Sequence, residues 1–347
     1  MALSWSLYPI ITFRSCQRKH FFSQVLAKNY EKSTLLEKQA YWLKKSITLD
    51  MWAGELIDQI ITEKIIPIFE GKDEPDFNGI ENYAIDLLRR QWEFSKMGKY
   101  KVTSDHNTPE EYCVLDMHEN STPFRKEELE TVAHKVRKSI QNLQTIKLPD
   151  GTLLIDLLKN ADWLSPNRND RHVKVGDANV GPQIDLLFWK DKTQYVIDWK
   201  VSDGKNSDYS LQLNIIGMVI YRRRIEVFEQ ETEQGKDSWM YDFNKTKIVL
   251  YEVNLFKGYI KEHPFTPASY GEAVDYVHRT SKDIELFKKG RTWKEIPLHE
   301  YAHSESDYQC NTCPYRHLCD YLILKSHENE PFNSKNYREF IQNQQLI

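Results

Sequence analysis

Two aspartates stand inside otherwise apolar stretches, Asp185 in QIDLLFW and Asp198 in YVIDWK, and Lys200 follows the second at a spacing of two. Charges seldom enter buried strands unless they are paired or hold a metal. Side chains alternate along a strand, so Val196, Asp198 and Lys200 project to one side, and Asp185 shares a face with Leu187 and Trp189. With KDKT between them as a hairpin loop, the two carboxylates converge near one edge of a sheet with Lys200 close by. Two carboxylates at short range repel, and one keeps its proton unless a cation sits between them. Mg²⁺ or Mn²⁺ suits an all-oxygen site, acidifies a bound water and neutralises charge building on a phosphate. Lys200 adds a positive charge for a scissile phosphate, or orients the attacking water. The alternative is a surface hairpin with two solvated aspartates and a snorkelling lysine.

A second group of residues has ligand chemistry. CNTCPYRHLC spaces Cys310, Cys313 and Cys319 as C-x2-C-x5-C, so three thiolates in one decapeptide can face one centre. Five cysteines in all, in a long chain without the marks of a signal peptide, argue against a disulfide framework. A tetrahedral zinc or a 4Fe–4S cluster needs a fourth ligand. His317 lies within the run, and Cys16 stands far upstream in ITFRSCQRKHFF. Cys113 reads as a buried or incidental thiol.

The elements that must position these residues follow from periodicity. Residues 31–145 are predicted mostly helical: LIDQIITEKII sets Leu56, Ile57, Ile60, Ile61 and Ile65 on one face, with Pro67 ending the pattern. RKEELETVAHKVRKSIQNLQTI and NYAIDLLRRQWEF read as further helices. From about residue 172 the period shortens, and HVKVGDANVGPQIDLLFW, YVIDWK and TKIVLYEVNLF read as strands. SDYSLQLNIIGMVIYRRR, between the last two, reads as a helix ending in three arginines. Helices before and after a small sheet, with one helix inside it, make a mixed α/β fold.

A net charge of −4 excludes a general polycation, so a nucleic-acid site must be a local basic patch. Candidates are Arg168, Arg171, His172 and Lys174 before the first acidic strand, and Arg222, Arg223 and Arg224 after the helix. Arg18 and Lys19 stand beside aromatic rings that can stack on bases. No run approaches the ~18 apolar residues needed to span a bilayer, so no membrane partner and a cytoplasmic location are expected. No G-x-x-x-x-G-K-[ST] is present, hence no ATP-driven motor.

The order of the motifs, an aspartate strand, then an acidic-x-lysine strand, then a helix opening on Gln212, resembles the PD-(D/E)XK nuclease superfamily and, within it, the RecB-like exonuclease group. The resemblance implies a restriction-endonuclease-like core with a large helical insertion and a C-terminal cysteine cluster. It assigns Asp185 and Asp198 as metal ligands and Lys200 as the catalytic lysine. Gln212 matches the first position of that group's Q-x-x-x-Y, whose tyrosine is Ile216 here. Where the group has G-x-x-x-H on an N-terminal helix, this chain has Gly54 and Asp58, making Asp58 a candidate third ligand for Mg²⁺ or Mn²⁺. ITFRSCQRKHFF resembles the opening of members that carry iron–sulfur clusters, such as CRISPR-adaptation and AddB-type nuclease domains. By that arrangement Cys16, Cys310, Cys313 and Cys319 bind one 4Fe–4S cluster, with structural zinc as the alternative.

The implied blocks are an N-terminal segment (1–30), a helical region (31–170), a nuclease core (171–265) and a C-terminal helix with the cluster segment (266–347). The implied activity is metal-dependent cleavage of DNA that is single-stranded or has free ends, in processing, repair or antiviral defence. A helicase or another defence or repair protein in trans is the expected partner. The rival is an inactive nuclease-fold module that binds DNA or a protein, with a structural metal cluster.

Overall fold

The structure, a computed structural model, describes residues 3–103, 108–169, 171–204, 208–233, 247–325 and 332–344. Strand β1 (Leu3–Trp5) is followed by helices α1 (Leu7–Ser15), α2 (Gln17–His20), α3 (Leu35–Lys45), α4 (Leu49–Ile60), α5 (Ile66–Glu70), α6 (Phe77–Lys96), α7 (Asp116–Glu119), α8 (Lys126–Leu143) and α9 (Leu154–Lys159). Next come β2 (Trp163–Arg168), β3 (Val173–Val175), β4 (Ala178–Val180), β5 (Ile184–Lys190), β6 (Thr193–Lys200), α10 (Ser210–Glu233), β7 (Lys247–Asn254) and β8 (Tyr259–His263). The chain continues with α11 (Pro267–Lys288), α12 (Asp307–Asn311), α13 (Arg316–Lys325) and α14 (Ser334–Gln344). The fold is mixed α/β, as the sequence predicts. Pro67 does not end its helical run. A π-helical turn at Ile61–Ile65 hands over to α5, with the Ile66 N–H bonded to the Ile61 carbonyl, and Pro67 falls in the first turn of α5, where no N–H is needed.

Two compact units are each assembled from separated stretches, so the linear blocks describe element order rather than compact bodies. One comprises Met1–Leu7, Ala53–Asp86 and Glu130–Ile284. Its five-stranded sheet has the order β2-β5-β6-β7-β8, antiparallel throughout except for the parallel pair β6–β7. β5 and β6 form the expected hairpin. Lys190 pairs with Thr193 across a two-residue turn, Asp191 and Lys192, both at positive φ (48° and 61°), the backbone that matches strand twist in tight hairpins. A parallel neighbour requires a crossover, and α10 supplies it, burying Leu213, Ile216 and Ile220 on Leu187, Val196 and Leu250. A Cβ at Gly217 would lie 2.7 Å from the Phe265 ring, so glycine lets that ring pack against the helix. A smaller sheet, β1-β4-β3, is pinned by Trp5, whose indole N–H donates to Thr280 Oγ1 at 3.0 Å. The expected end of α10 at the arginines is corrected: the helix runs on to Glu233, and Arg222–Arg224 lie in its middle.

The other unit comprises Tyr8–Trp52, Leu87–Leu129 and Glu285–Ile347. It is helical, around a core that includes Phe22, Leu43, Tyr315, Leu318, Tyr321 and Tyr337. Helix α3 starts at a reciprocal capping box, Thr34 with Glu37. Buried His20 stands between Phe13 and Trp293, with Nδ1 3.1 Å from the Pro9 carbonyl oxygen, so the neutral ring carries its proton on Nδ1. Nε2 is buried without a partner among the described residues, and burial lowers the imidazole from 6.5 to about 4. The unfolded chain therefore binds a proton that the native state refuses between those values. Stability from the neutral ring is present above pH 6.5 and is lost as pH falls toward 4, with about 2 kcal/mol gone by pH 5. Urea unfolding at pH 7 and pH 5 measures this. The loss is expected to shrink in His20→Asn, which keeps a donor for Pro9 but cannot titrate; an unchanged pH slope in that variant would assign the effect elsewhere.

No helix among the described residues is long and apolar enough to cross a membrane.

Candidate active site

Asp198 sits in the middle of the sheet and is 2% exposed. Gln212, in the first turn of α10, donates from Nε2 to Asp198 Oδ1 at 2.8 Å, and the Lys200 ammonium pairs with Oδ2. Asp185, on β5, accepts the Trp199 backbone N–H on Oδ2 at 2.9 Å. Asp185, Asp198, Lys200 and Gln212 are thus brought together by one hairpin and the helix that follows it. Asp58 comes to the same place from α4. Its charge and that of Asp198 both push Asp185 upward, after burial as the largest cause. Burial likewise raises Asp198, with Lys200 opposing. Asp58 rises to about 6, through burial first, against a hydrogen bond from Asn167 and with a further push from Asp198.

These three carboxylates are crowded, desolvated and incompletely satisfied. Asp58 Oδ1 is buried with no hydrogen-bond partner among the described residues, and Asp198 Oδ2 is buried against the Lys200 ammonium. Such atoms cost free energy unless a cation reaches them. An all-oxygen donor set with one buried carboxylate oxygen unpartnered among the described residues fits Mg²⁺ or Mn²⁺. Among the described residues no three carboxylate, imidazole or thiolate groups already stand at coordinating distance of one point, so binding requires the side chains to close on the ion.

Asp58 gives a test with two opposite signs. A carboxyl raised to about 6 from 3.8 destabilises the native state at pH above its unfolded value. Asp58→Asn is therefore expected to raise stability in EDTA by about 1–2 kcal/mol at pH 8 and to weaken apparent Mg²⁺ affinity about ten-fold or more. Thermal melts with EDTA and with graded Mg²⁺ read both. A variant with unchanged metal dependence returns Asp58 to an ordinary helix position.

Several residues of this neighbourhood were not singled out in the sequence. Glu252 on β7 is the register partner of Asp198, is 3% exposed, and accepts from Tyr259 Oη at 3.3 Å while His263 Nε2 stands 2.9 Å from its other oxygen. The signal was available: an acid inside KIVLYEVN, like those of the two preceding strands. Asn167, at φ 49°, bonds Asp58 and also Thr62 Oγ1 at 3.1 Å. Asparagine tolerates that left-handed backbone.

The basic residues divide. Lys174 is exposed, and Arg171 and Arg222 are half-buried, Arg222 donating to the Lys174 carbonyl at 2.9 Å. Arg223 is exposed and donates to Glu226 at 3.1 Å. Arg224 is corrected as a surface phosphate contact: it is 3% exposed, donates to Gln194 Oε1 at 2.7 Å and lies over the Trp189 ring. The Arg168 side chain lies outside the described residues.

In the helical unit, Cys16, Cys310, Cys313 and Cys319 line one cavity of about 340 Å³, with Arg18, Lys19 and Arg316 around it. Cys16 caps α2, accepting the Lys19 backbone N–H at 3.4 Å, and Arg18 Nη1 lies 4.0 Å from Cys319 Sγ. Burial raises Cys313 to about 11 and also raises Cys319, so these thiols stay protonated unless a metal displaces the protons. Four thiols in one cavity, which Asp307 and Asp320 line beside the basic residues, fit a thiolate-bound centre by their chemistry. His317 does not line this cavity, and Asp116 lies within electrostatic reach of its ring. Cys113 is buried away from the cavity.

A family model described as the PD-(D/E)XK nuclease superfamily matches residues 4–320. No curated protein matches the chain.

Proposed function

From the premise that this chain belongs to the PD-(D/E)XK nuclease superfamily, we propose that it is a metal-dependent DNA nuclease that hydrolyses phosphodiester bonds. The observation that carries the reading is the Asp198–Lys200–Gln212 arrangement beside Asp185 and Asp58, with the buried Asp58 Oδ1 left unpartnered among the described residues. Asp185 and Asp198, with Asp58, would hold Mg²⁺ or Mn²⁺, which when bound supplies an acidified water and positive charge at the phosphate. Gln212 fixes the rotation of Asp198 through Oδ1, and Oδ2 faces the Lys200 ammonium, whose place a bound ion would take. The Lys200 ammonium meets a non-bridging phosphate oxygen and stabilises the charge that grows there. Lys174, Arg171 and Arg222, outside the catalytic cluster, are proposed phosphate contacts.

We further propose exonucleolytic action on single strands or DNA ends, with any unwinding done by a helicase or another repair or defence protein in trans, and a 4Fe–4S cluster on Cys16, Cys310, Cys313 and Cys319 as a structural staple. End-labelled single- and double-stranded DNA incubated with Mg²⁺, Mn²⁺ or EDTA tests the activity. Cleavage with metal and none with EDTA is expected, with products shortening from the ends. DNA left intact under every metal condition by folded protein overturns the nuclease reading in favour of a binding module.

A further inference from the structure

We propose that Tyr209 is the positioning residue for Lys200. It acts through the face of its ring, and together with Gln212 it makes the start of α10 and the residue before it a clamp on the Asp198–Lys200 pair. The proposal rests on the nuclease reading above for its catalytic consequence.

The Lys200 ammonium lies 4.4 Å from the centroid of the Tyr209 ring and pairs with Asp198. Its side chain is 16% exposed, so bulk water screens it little. Tyr209 immediately precedes α10, and Gln212 is the third residue of that helix. The turn is fixed at its start: Asp208 Oδ1 accepts the Ser210 N–H at 2.9 Å, and the Tyr209 carbonyl accepts the Leu213 N–H at 3.1 Å. One turn therefore delivers a ring to the cation and an amide to the anion, 2.8 Å from Asp198 Oδ1.

The chemistry explains why a ring serves here. Asp198 is assigned to a metal ion, so Lys200 must leave that carboxylate when the ion and a phosphate arrive. A second carboxylate beside Lys200 would compete with the phosphate for its N–H donors. An aromatic face attracts the charge without a lone pair, holds the ammonium's direction, and leaves donors for the phosphate oxygens. The attraction strengthens where water is scarce.

Tyr209→Leu is expected to lower kcat about ten-fold with KM little changed, and Tyr209→Phe to restore most of the rate, because the ring and not the hydroxyl acts. Phenylalanines with one, two and three ring fluorines at position 209 keep the shape and progressively weaken the face, so kcat should fall stepwise along the series. Competitive acetylation of Lys200, read by peptide mass spectrometry, is expected to rise several-fold in Tyr209→Leu and to stay low in Tyr209→Phe. A flat fluorine series, or Lys200 labelling unchanged by Tyr209→Leu, overturns the proposal. A wild-type protein that cuts no DNA overturns the nuclease reading instead, and the labelling then decides the ring contact by itself.

Discussion

Asp198→Asn is expected to reduce metal-dependent DNA cleavage by at least about 100- to 1,000-fold while the protein stays folded. Asparagine keeps the shape and the oxygen that accepts from Gln212, so the packing of α10 on the sheet is preserved. What disappears is the charge that a divalent ion needs and that Lys200 pairs with. Because the charge of Asp198 pushes Asp185 upward, the same substitution relaxes Asp185 toward ionisation. That relief is opposed by the Lys200 ammonium, which then faces an amide donor in place of a carboxylate, so a thermal melt of the metal-free variant is run beside the assay to separate lost chemistry from lost fold. Lys200→Ala is expected to fall by a similar factor, and Asp185→Asn/Asp198→Asn to be little worse than either single change, since the residues act as one unit. Cleavage at the wild-type rate by Asp198→Asn would remove this site from the reaction.

That much was legible because local pattern carries it. An acid inside an apolar strand is conspicuous, a two-residue hairpin fixes how neighbouring strands meet, and a helix after the second strand must return across the sheet. The placement of Asp58 beside the other two carboxylates followed the resemblance, and its stripe of Leu56, Ile57, Ile60 and Ile61 is buried as periodicity requires. What the sequence hid is non-local. Glu252 meets Asp198 only through a parallel pairing made across α10, and a parallel register leaves no mark in either segment. The arginines at 222–224 looked like a helix end because cations favour C-termini, yet the helix former Glu226 continues the turn and pairs with Arg223. Arg224 shows the limit of reading charge as surface: its neighbours Trp189 and Gln194 come from strands, and only the packed sheet turns a basic run inward. Ile216, where the resembling pattern has tyrosine, is a core position 1% exposed against the sheet, so a hydroxyl there would be buried among aliphatic side chains.

Loss of the proposed thiolate centre is expected to cost the helical unit more stability than any single substitution in its core. Cys16 comes from the cap of α2, and Cys310, Cys313 and Cys319 come from α12, the residues after it, and α13. A centre bound by all four closes a loop of some three hundred residues, and the loop-closure entropy removed from the unfolded chain is of order 5 kcal/mol by the disulfide analogy. Burial holds Cys313 and Cys319 protonated, so a centre would have to displace those protons, and the rim carries Arg18, Lys19 and Arg316 together with Asp307 and Asp320. Anaerobically purified protein should contain iron and sulfide and absorb visible light through sulfur-to-iron charge transfer. Cys16→Ser and Cys313→Ser should weaken the centre to similar extents, because each leaves three thiolates, and both should lower Tm by more than 10 °C. Cys113→Ser should do little, because that thiol is buried elsewhere. The cleavage chemistry, built from Asp185, Asp198 and Lys200, should survive in whatever fraction stays folded. Stoichiometric zinc with no iron under anaerobic conditions would replace the cluster but keep the staple. A Cys16→Ser protein with a fully occupied and equally stable centre would remove the staple itself.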